Sequence, residues 1–335
     1  MSKLKKFVIV LVSLLIIIPL SVYGYINFKL KDVTVESTYN SKIEDVNGIT
    51  NILLLGTDGR KGETAFRTDS MIILTIDSNN KNIKLTSLAR DTYVDIPGKG
   101  KGKLNTAYFW GKEPLLFETI ENEFGIGVDK FAIVDFNSLM DIVYVLDGVE
   151  VDVSQNEISE LNKYVKECYS MSDNSKKGQL QLVTNTGKQT LNGYQALAYT
   201  RIRYNDSAIN RDERQREVIM AIIEKYKDMP LTKFPNLIDT VLPYITTNLN
   251  SKDILNLASD GVSILANKST SDAIIEAEFP ITDDIHSKGG RYKNAGWVWL
   301  YDINSTVVLK DFIYNNILPE NNKYLLDTSN IQLNY

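Results

Sequence analysis

The chain is poor in the residues on which many chemistries depend. It has one Cys, one His and eight Pro in 335 residues, and nine Arg among 37 basic side chains. The single thiol, Cys168, excludes a disulfide framework and any thiolate zinc site. The single imidazole, His286, excludes a two-His metal motif and weakens any Ser-His-Asp reading. Within the polar stretch DDIHSKGG it is expected at the surface. The phosphate-cradling G-x-x-x-x-G-K-[ST], the dinucleotide fingerprint G-x-G-x-x-G and the nucleophile elbow G-x-S-x-G are all missing. Nucleotide hydrolysis, dinucleotide redox chemistry and serine-hydrolase chemistry therefore lose support. The net charge of −5 hides a split. Residues 1–31 hold five Lys and no acid, which leaves 32 basic and 42 acidic groups in residues 32–335, a net of −10. An acidic body argues against a nucleic-acid partner, whose footprint is a basic face.

What is present begins with Lys3, Lys5 and Lys6, followed by an uncharged run of 22 residues from Phe7 to Phe28. As a helix that run spans about 33 Å, enough to cross a hydrocarbon core. The basic flank favours a cytoplasmic start and an outside body. A cleaved signal peptide is the competing reading. The apolar stretch exceeds a typical signal core and Ser21–Tyr25 lacks an A-x-A-like site, so an uncleaved anchor is preferred. Pro19 is expected to kink the helix, and Tyr23 and Tyr25 suit the outer interface. The organisation read from the sequence is a cytoplasmic tail (1–6), a single membrane span (7–28), a polar stalk (29–47) and one extracytoplasmic domain (48–335).

Within that domain, apolar runs at Ile52–Leu55 (ended by Gly56), Met71–Ile76, Ile83–Leu88 and Lys130–Asp135 read as strands. The turn formers at 77–81 make the second and third a hairpin. Phe136, Leu139, Met140, Val143 and Leu146 repeat at helical spacing; Gly148 ends that helix, and Val149, Val151 and Val153 alternate as a strand. Residues 155–187 are polar, with one helix and a loose surface loop at Ser170–Lys177. Helices are expected at Leu191–Ala198, Arg211–Tyr226, 251–266 and 304–316, the second opening on Asn210 as N-cap with Glu213 in a capping-box position. Strands are expected near 273–279 and 297–301. Strands interspersed with helices make this an α/β chain with both parallel and antiparallel pairs.

A chain that uses Lys by default places Arg where a planar, permanently charged fork matters. Eight of the nine Arg fall in three groups: Arg60 and Arg67; Arg90; and Arg201, Arg203, Arg211, Arg214 and Arg216. If Tyr199–Arg203 is extended, Arg201 and Arg203 point to one side. Arg211, Arg214 and Gln215 share a helix face, and Val218 and Ile222 continue the Arg211–Gln215 line, so that stripe faces protein. Convergence of these forks would cradle a polyanion or pyrophosphate. For Arg214 and Arg216 the plainer expectation is a solvated pairing with Asp212, Glu213 or Glu217. Asp58, in LGTDGR, and Asp69, in RTDS, sit at strand ends, where α/β folds place ligands. Two carboxylates beside phosphate oxygens suit Mg²⁺, while taken alone Asp58 is more often a turn residue before Gly59 and Asp69 a cap. The run GKGKGKLN, with Lys99, Lys101 and Lys103, reads either as a phosphate-facing lid or as a solvated loop.

The segments NILLLGTDGR (51–60), RTDSMIILTID (67–77), LARDTYVDIP (88–97), KLNTAY (103–108), LNGYQALAYTRIR (191–203) and RDERQ (211–215) resemble, in order and spacing, the LytR-CpsA-Psr family over residues 48–228. A single amino-terminal membrane anchor is also typical of that family. The resemblance implies an α/β/α sandwich with a central mixed β-sheet and an apolar tunnel for a prenyl chain. It implies a phosphotransferase that attaches a polyprenyl-pyrophosphate-linked glycopolymer, such as a teichoic acid or capsular polysaccharide, to peptidoglycan through a phosphodiester. It assigns Arg67, Arg90, Arg201 and Arg203 to the pyrophosphate, Arg211 and Gln215 to the border of the head group, and Asp58 and Asp69 to Mg²⁺, with Mn²⁺ as the alternative ion. Asp91, beside Arg90, is a candidate base for the acceptor hydroxyl. The implied place is the outer face of the cell membrane of a Gram-positive bacterium. A polyprenyl-phosphate-binding envelope protein or regulator without turnover, and a pyrophosphatase on the same lipid, are the competing functions. This chain departs from the family in Ala89, where Pro is usual and which is expected to relax that loop, and in Ala208, where an acid is common. Beyond about residue 228 no motif matches.

Overall fold

Four strands rich in branched aliphatic residues, β1 (Ile49–Thr57), β2 (Thr68–Asp77), β3 (Asn82–Leu88) and β6 (Lys130–Asp135), form the centre of a six-stranded sheet. The computed structural model describes residues 23–31, 33–57, 68–202, 208–227, 239, 241–266, 268–326 and 328–335. The strand order is β10-β3-β2-β1-β6-β9, with β9 at Thr246–Thr247 and β10 at Ile274–Phe279. β1 and β2, β2 and β3, and β6 and β9 are antiparallel; β1 and β6, and β3 and β10, are parallel. The sheet is mixed, as expected.

Alternation along the strands divides the core. Leu53, Leu55, Met71 and Ile73 face α1 (Leu104–Phe124) and a late helix at Thr306–Asn315, in a cluster with Phe117, Phe124, Phe131, Phe279 and Phe312. Leu54, Ile72 and Leu74 face the other side, with Ile219, Met220 and Ile223 of a helix at Ala208–Lys227 and Leu257 of a helix at Ser251–Leu265. Helices thus cover both faces, giving the α/β/α layering. A separate lobe packs α2 (Phe136–Val145), the β7–β8 hairpin (Val149–Val153 with Gly187–Leu191), α3 (Ile158–Met171) and α4 (Gly193–Thr200) around Val143, Leu161, Tyr194 and Leu197. The Ala208–Lys227 helix is α5 and the Ser251–Leu265 helix α6 below.

Several expectations give way to tertiary contacts. Tyr199 and Thr200 are helical, not extended: α4 starts on a capping box between Asn192 and Gln195, all its residues are buried, and Arg201 caps its end. The glycine-rich run is neither lid nor loop. Gly100–Lys103 is strand β5, paired antiparallel with β4 (Tyr93–Ile96). Asn210 lies inside α5, which begins at Ala208, so it is not the N-cap. Ser170–Lys177 is anchored by the buried Ser172 and by Asn174, whose amide donates to Asp141 at 2.6 Å.

His286 is fully buried, with Nδ1 2.5 Å from Asp283 Oδ2 and its ring 5.6 Å from that of Tyr324, because the C-terminal residues fold back over the loop. The segment expected as a stalk is bound to the body. Tyr39 and Ser41 hydroxyls each donate to Glu121 Oε2 at 2.8 Å, and the Lys42 N–H donates to Glu121 Oε1 at 3.0 Å. Residues 23–30 are helical, and Ile26 and Leu30 pack against Leu242. Residues 1–22 lie outside the described residues, and among those described no helix is long and apolar enough to cross a membrane.

Candidate pyrophosphate-lipid site

The sheet face towards α5 is not filled. Between β1, β2, β6, α2 and α5 lies a cavity of about 560 Å³, within the ordinary size of ligand sites. Its interior is lined by Leu54, Ile72, Val134, Ile142, Ile223 and Ile245, and its mouth by Asp69, Asp135, Glu167, Arg201, Arg211 and Gln215. One helix supplies the gradient. Arg211, Gln215, Val218, Ile219, Ile222 and Ile223 of α5 all line the cavity, passing from charged to aliphatic along successive turns. The stripe predicted to face protein therefore faces this cavity as well.

Local backbone features aim the polar groups. In the β1–β2 ladder Gly56 pairs with Ser70 and Thr57 with Thr68, so Asp69 is the extra residue of a bulge. A bulge re-aims a side chain, and this one turns the Asp69 carboxylate to the cavity mouth. Asp69 thus lies inside β2 rather than before it. Gly56 is required by close approach, since a Cβ there would come 2.9 Å from Ser70 Cβ.

Arg90 follows β3 in a turn pinned at several points. The Ala89 N–H donates to Phe279 O at 2.9 Å, a bond that proline could not make, so Ala89 ties this loop down rather than relaxing it. Asn105 N–H donates to Arg90 O at 3.1 Å. The Arg90 guanidinium pairs closely with Asp69, and its Nε lies 3.4 Å from Asp91 Oδ2. Burial works against its charge, but Asp69 and then Asp91 outweigh it and hold the guanidinium more firmly protonated than usual. Lys103 donates to Asp91 Oδ1 at 2.7 Å. Asp91 is therefore bonded to both Arg90 and Lys103, a geometry that positions the Arg90 guanidinium.

Arg201 is held flat. Its Cζ lies 5.1 Å from the ring centres of both Phe136 and Tyr164, and Nη2 donates to Glu167 at 2.9 Å. Burial opposes its charge, while Glu167 and Cys168 more than restore it. Burial in turn pushes the Cys168 thiol up to about 11, against the pull of Arg201, so it is no nucleophile.

Arg211, 5% exposed, donates to Asp212 Oδ1 at 2.8 Å. Asp212 itself is buried, and burial raises its carboxyl above the usual range against the pull of Arg211, Arg216 and Arg90. Arg214 and Arg216 are not solvated; both are 7% exposed. Arg214 Nε donates to Glu157 at 2.6 Å, while Arg216 pairs with Glu276 and donates to Ser87 Oγ at 2.7 Å, fastening α5 to the sheet edge. Their partners come from segments distant in sequence, which local pairing rules do not reach.

Of the residues singled out from the sequence, Asp69, Arg201, Arg211 and Gln215 line one cavity, and Arg90 and Asp91 adjoin it through Asp69. Asp58, Arg67 and Arg203 lie outside the described residues, as does Arg60. Sequence reasoning missed Glu167, which holds Arg201, and the Phe136–Tyr164 clamp. Phe136 follows a strand end directly, the one local signal for its position; Glu167 gives none.

The LytR_cpsA_psr family model matches residues 21–311. The chain belongs to the LytR-CpsA-Psr family. Among characterised family members, it is 32% identical over 277 residues to the polyisoprenyl-teichoic acid–peptidoglycan teichoic acid transferase TagU of Enterococcus faecalis, covering 78% of this chain and 84% of that one. It is 34% identical over 212 residues to the corresponding TagT of Bacillus subtilis, covering 62% of each. Among solved structures of the family, TagT bound to LI-WTA superposes with a TM-score of 0.65 at 27% identity, covering 85% of this chain and 98% of the other. The LytR-CPS2A-psr family protein YwtF (TagT) with bound octaprenyl pyrophosphate lipid superposes with a TM-score of 0.61 at 25% identity, covering the same shares. The α/β/α fold with a central mixed sheet is thus the family's fold.

For a family metal, the fit rests on Asp69. Its carboxylate stands at the cavity mouth, 22% exposed and paired with Arg90. Mg²⁺ takes one or two carboxylates, substrate phosphates and water. Among the described residues no cluster of three or more His, Cys, Asp or Glu could hold a metal.

Proposed function

We propose that this protein transfers a polyprenyl-pyrophosphate-linked wall glycopolymer of the teichoic-acid class onto a peptidoglycan hydroxyl, forming a phosphodiester. The observation that carries the reading is the cavity whose interior is aliphatic and whose mouth holds Asp69, Asp135, Glu167, Arg201 and Arg211 among the described residues, with Arg90 locked beside Asp69. A prenyl chain matches the aliphatic interior, and a pyrophosphate matches the forks at the mouth.

The acceptor oxygen bonds to the glycan-bearing phosphorus as the bridging P–O bond to the prenyl phosphate breaks. The hydroxyl proton passes to the departing prenyl phosphate, whose second pKa is about 6. Arg90 and Arg201, with Arg67 and Arg203 from the matching family motifs, spread over the non-bridging oxygens and offset their charge. Arg211 and Gln215 border the head group, and Asp91 positions Arg90. Mg²⁺ held by Asp69 and Asp58 would supply further neutralisation of phosphate charge. Phe7–Phe28 would hold the domain at the outer membrane face, within reach of donor and wall.

The test is transfer of a prenyl-pyrophosphate glycan to a peptidoglycan oligomer. Arg90→Ala and Arg201→Ala should each lower the rate by about 10²–10³-fold while the melting temperature holds. Full transfer by both variants would overturn the reading. Product analysis separates the competitors: release of phosphate-terminated glycan to water marks a pyrophosphatase, and lipid binding without product marks a binding protein.

A further inference from the structure

A second concavity lies beyond Asp91. It has a volume of about 580 Å³ and is walled by the β4–β5 hairpin, the first turns of α1, and the turn joining β11 (Ser287–Arg291) to β12 (Trp297–Tyr301). Tyr93, Trp110, Lys101, Lys103, Lys293 and Asn294 line it, and no acidic side chain does. In a body of net charge −10, the groove has three lysines and no carboxylate among its lining residues; Lys103 is paired with Asp91 behind it and Lys101 Nζ contacts the Tyr335 main-chain oxygen, while Lys101 and Lys293 are exposed. Trp110 is 44% exposed, with its ring edge placed 3.9 Å from where a Gly102 Cβ would stand. Lys101 and Lys103, two apart on β5, share a strand face. Lys101 Nζ also reaches Asn334 O at 3.4 Å, and Lys293 lies 4.6 Å from the Tyr292 ring centre.

This groove is wired to the first site. Lys103 lines it and bonds Asp91; Asp91 pairs with Arg90; Arg90 pairs with Asp69, which lines the lipid cavity. The far wall is tied in as well, since Trp299 N–H donates to Asp91 O at 3.0 Å. Phosphoryl transfer proceeds in line, so the nucleophile arrives opposite the leaving group. With the prenyl phosphate in the cavity, a groove joined to it through Asp69, Arg90, Asp91 and Lys103 stands next to the head-group end, where the acceptor has to arrive.

We propose that this groove binds the acceptor: an amino-sugar glycan strand, its apolar sugar face on the exposed Trp110 and the carboxylates of its peptide branches towards Lys101 and Lys293. The assignment rests on the transferase reading above for its choice of acceptor. It adds a residue set that directs specificity, distinct from the arginines that hold the donor.

The test uses the full-length chain in detergent, titrated with soluble uncrosslinked peptidoglycan strands, with Trp110→Ala and Lys293→Glu alongside and octaprenyl pyrophosphate as the donor-side probe. Each groove variant should bind the strands about tenfold more weakly and bind the prenyl pyrophosphate unchanged. Wild-type affinity in both variants overturns the proposal. So does displacement of the strands by prenyl pyrophosphate alone, which would place them in the lipid cavity. Stronger competition by free teichoic acid than by more peptidoglycan strand assigns the groove to the donor glycan and also overturns it. Strand binding lost in the variants, with no transfer by wild type, keeps the groove and removes the transferase reading, so the two failures are distinct.

Discussion

The two faces of one sheet differ in how they are covered. The face towards α1 is packed solid: Phe117, Phe124, Phe131, Phe279 and Phe312 interlock over Leu53, Leu55 and Ile73, with ring centres 5.0 Å apart for Phe124 and Phe279 and 6.1 Å for Phe117 and Phe131. The apolar side chains that the sheet and α5 turn to each other on the other face include no aromatic ring, and a cavity of about 560 Å³ remains there. Large rings fill the space between layers, whereas Leu54, Ile72 and Ile223 do not span it. An unfilled apolar space forfeits dispersion energy, so stability is carried mainly by the opposite face, and the hollow one is free to serve the binding role proposed above.

That division can be broken from either side. The largest effect is expected from Phe117→Ala, on the packed face, which should cost about 3–5 kcal/mol in urea unfolding while the folded fraction binds octaprenyl pyrophosphate normally. Asp77→Asn attacks the same side through a buried pair. Lys84 is fully buried, with Nζ 2.7 Å from Asp77 and 2.8 Å from Ile313 O. Losing the carboxylate should cost about 3 kcal/mol by leaving the ammonium unpaired.

The same pair sets a pH signature. Burial works to raise the Asp77 carboxyl, but hydrogen bonds from Lys84 and Asn80 outweigh it and hold it below the usual carboxylate range. A carboxyl lowered in the fold contributes stability that is complete above its unfolded value, about 4, and is lost as pH falls through the folded value. Unfolding free energy should therefore drop below about pH 4 in the wild type and drop less in Asp77→Asn. The smallest effect on stability is expected on the cavity face. Ile222→Phe should change it by under about 1.5 kcal/mol, because the ring enters open space, yet raise the donor KM, more for a long prenyl chain than for a short one. Equal loss for both chain lengths would place the prenyl group elsewhere.

Most elements were legible because their patterns are local. Strand runs, the turn at 77–81 and the α2 periodicity each stand within one window and match the observed β1, β2, β3, β6 and α2. The site was legible to the extent that scarce Arg marks it: Arg90, Arg201 and Arg211 converge at or beside one cavity mouth. Misreadings came where the deciding partner is remote. Arg214 and Arg216 looked solvated because Glu157 and Glu276 are 57 and 60 residues from them. His286 looked exposed because Tyr324, 38 positions later, folds over it. The GKGKGK run looked unstructured because glycine and lysine have weak strand propensity; pairing with β4 overrides it.

The sequence by itself determined the strand and helix periods, the split of charge between residues 1–31 and the rest, the grouping of a few arginines, and the family through six ordered motifs. These depend on residue identity and short spacing. Only the tertiary structure decided that one sheet face stays hollow, that a bulge turns Asp69 to its mouth, and that Asp91 and Lys103 link that mouth to a basic aromatic groove. Those features arise from how far apart the packed layers stand and from partners distant in the chain, and no local window of sequence contains either.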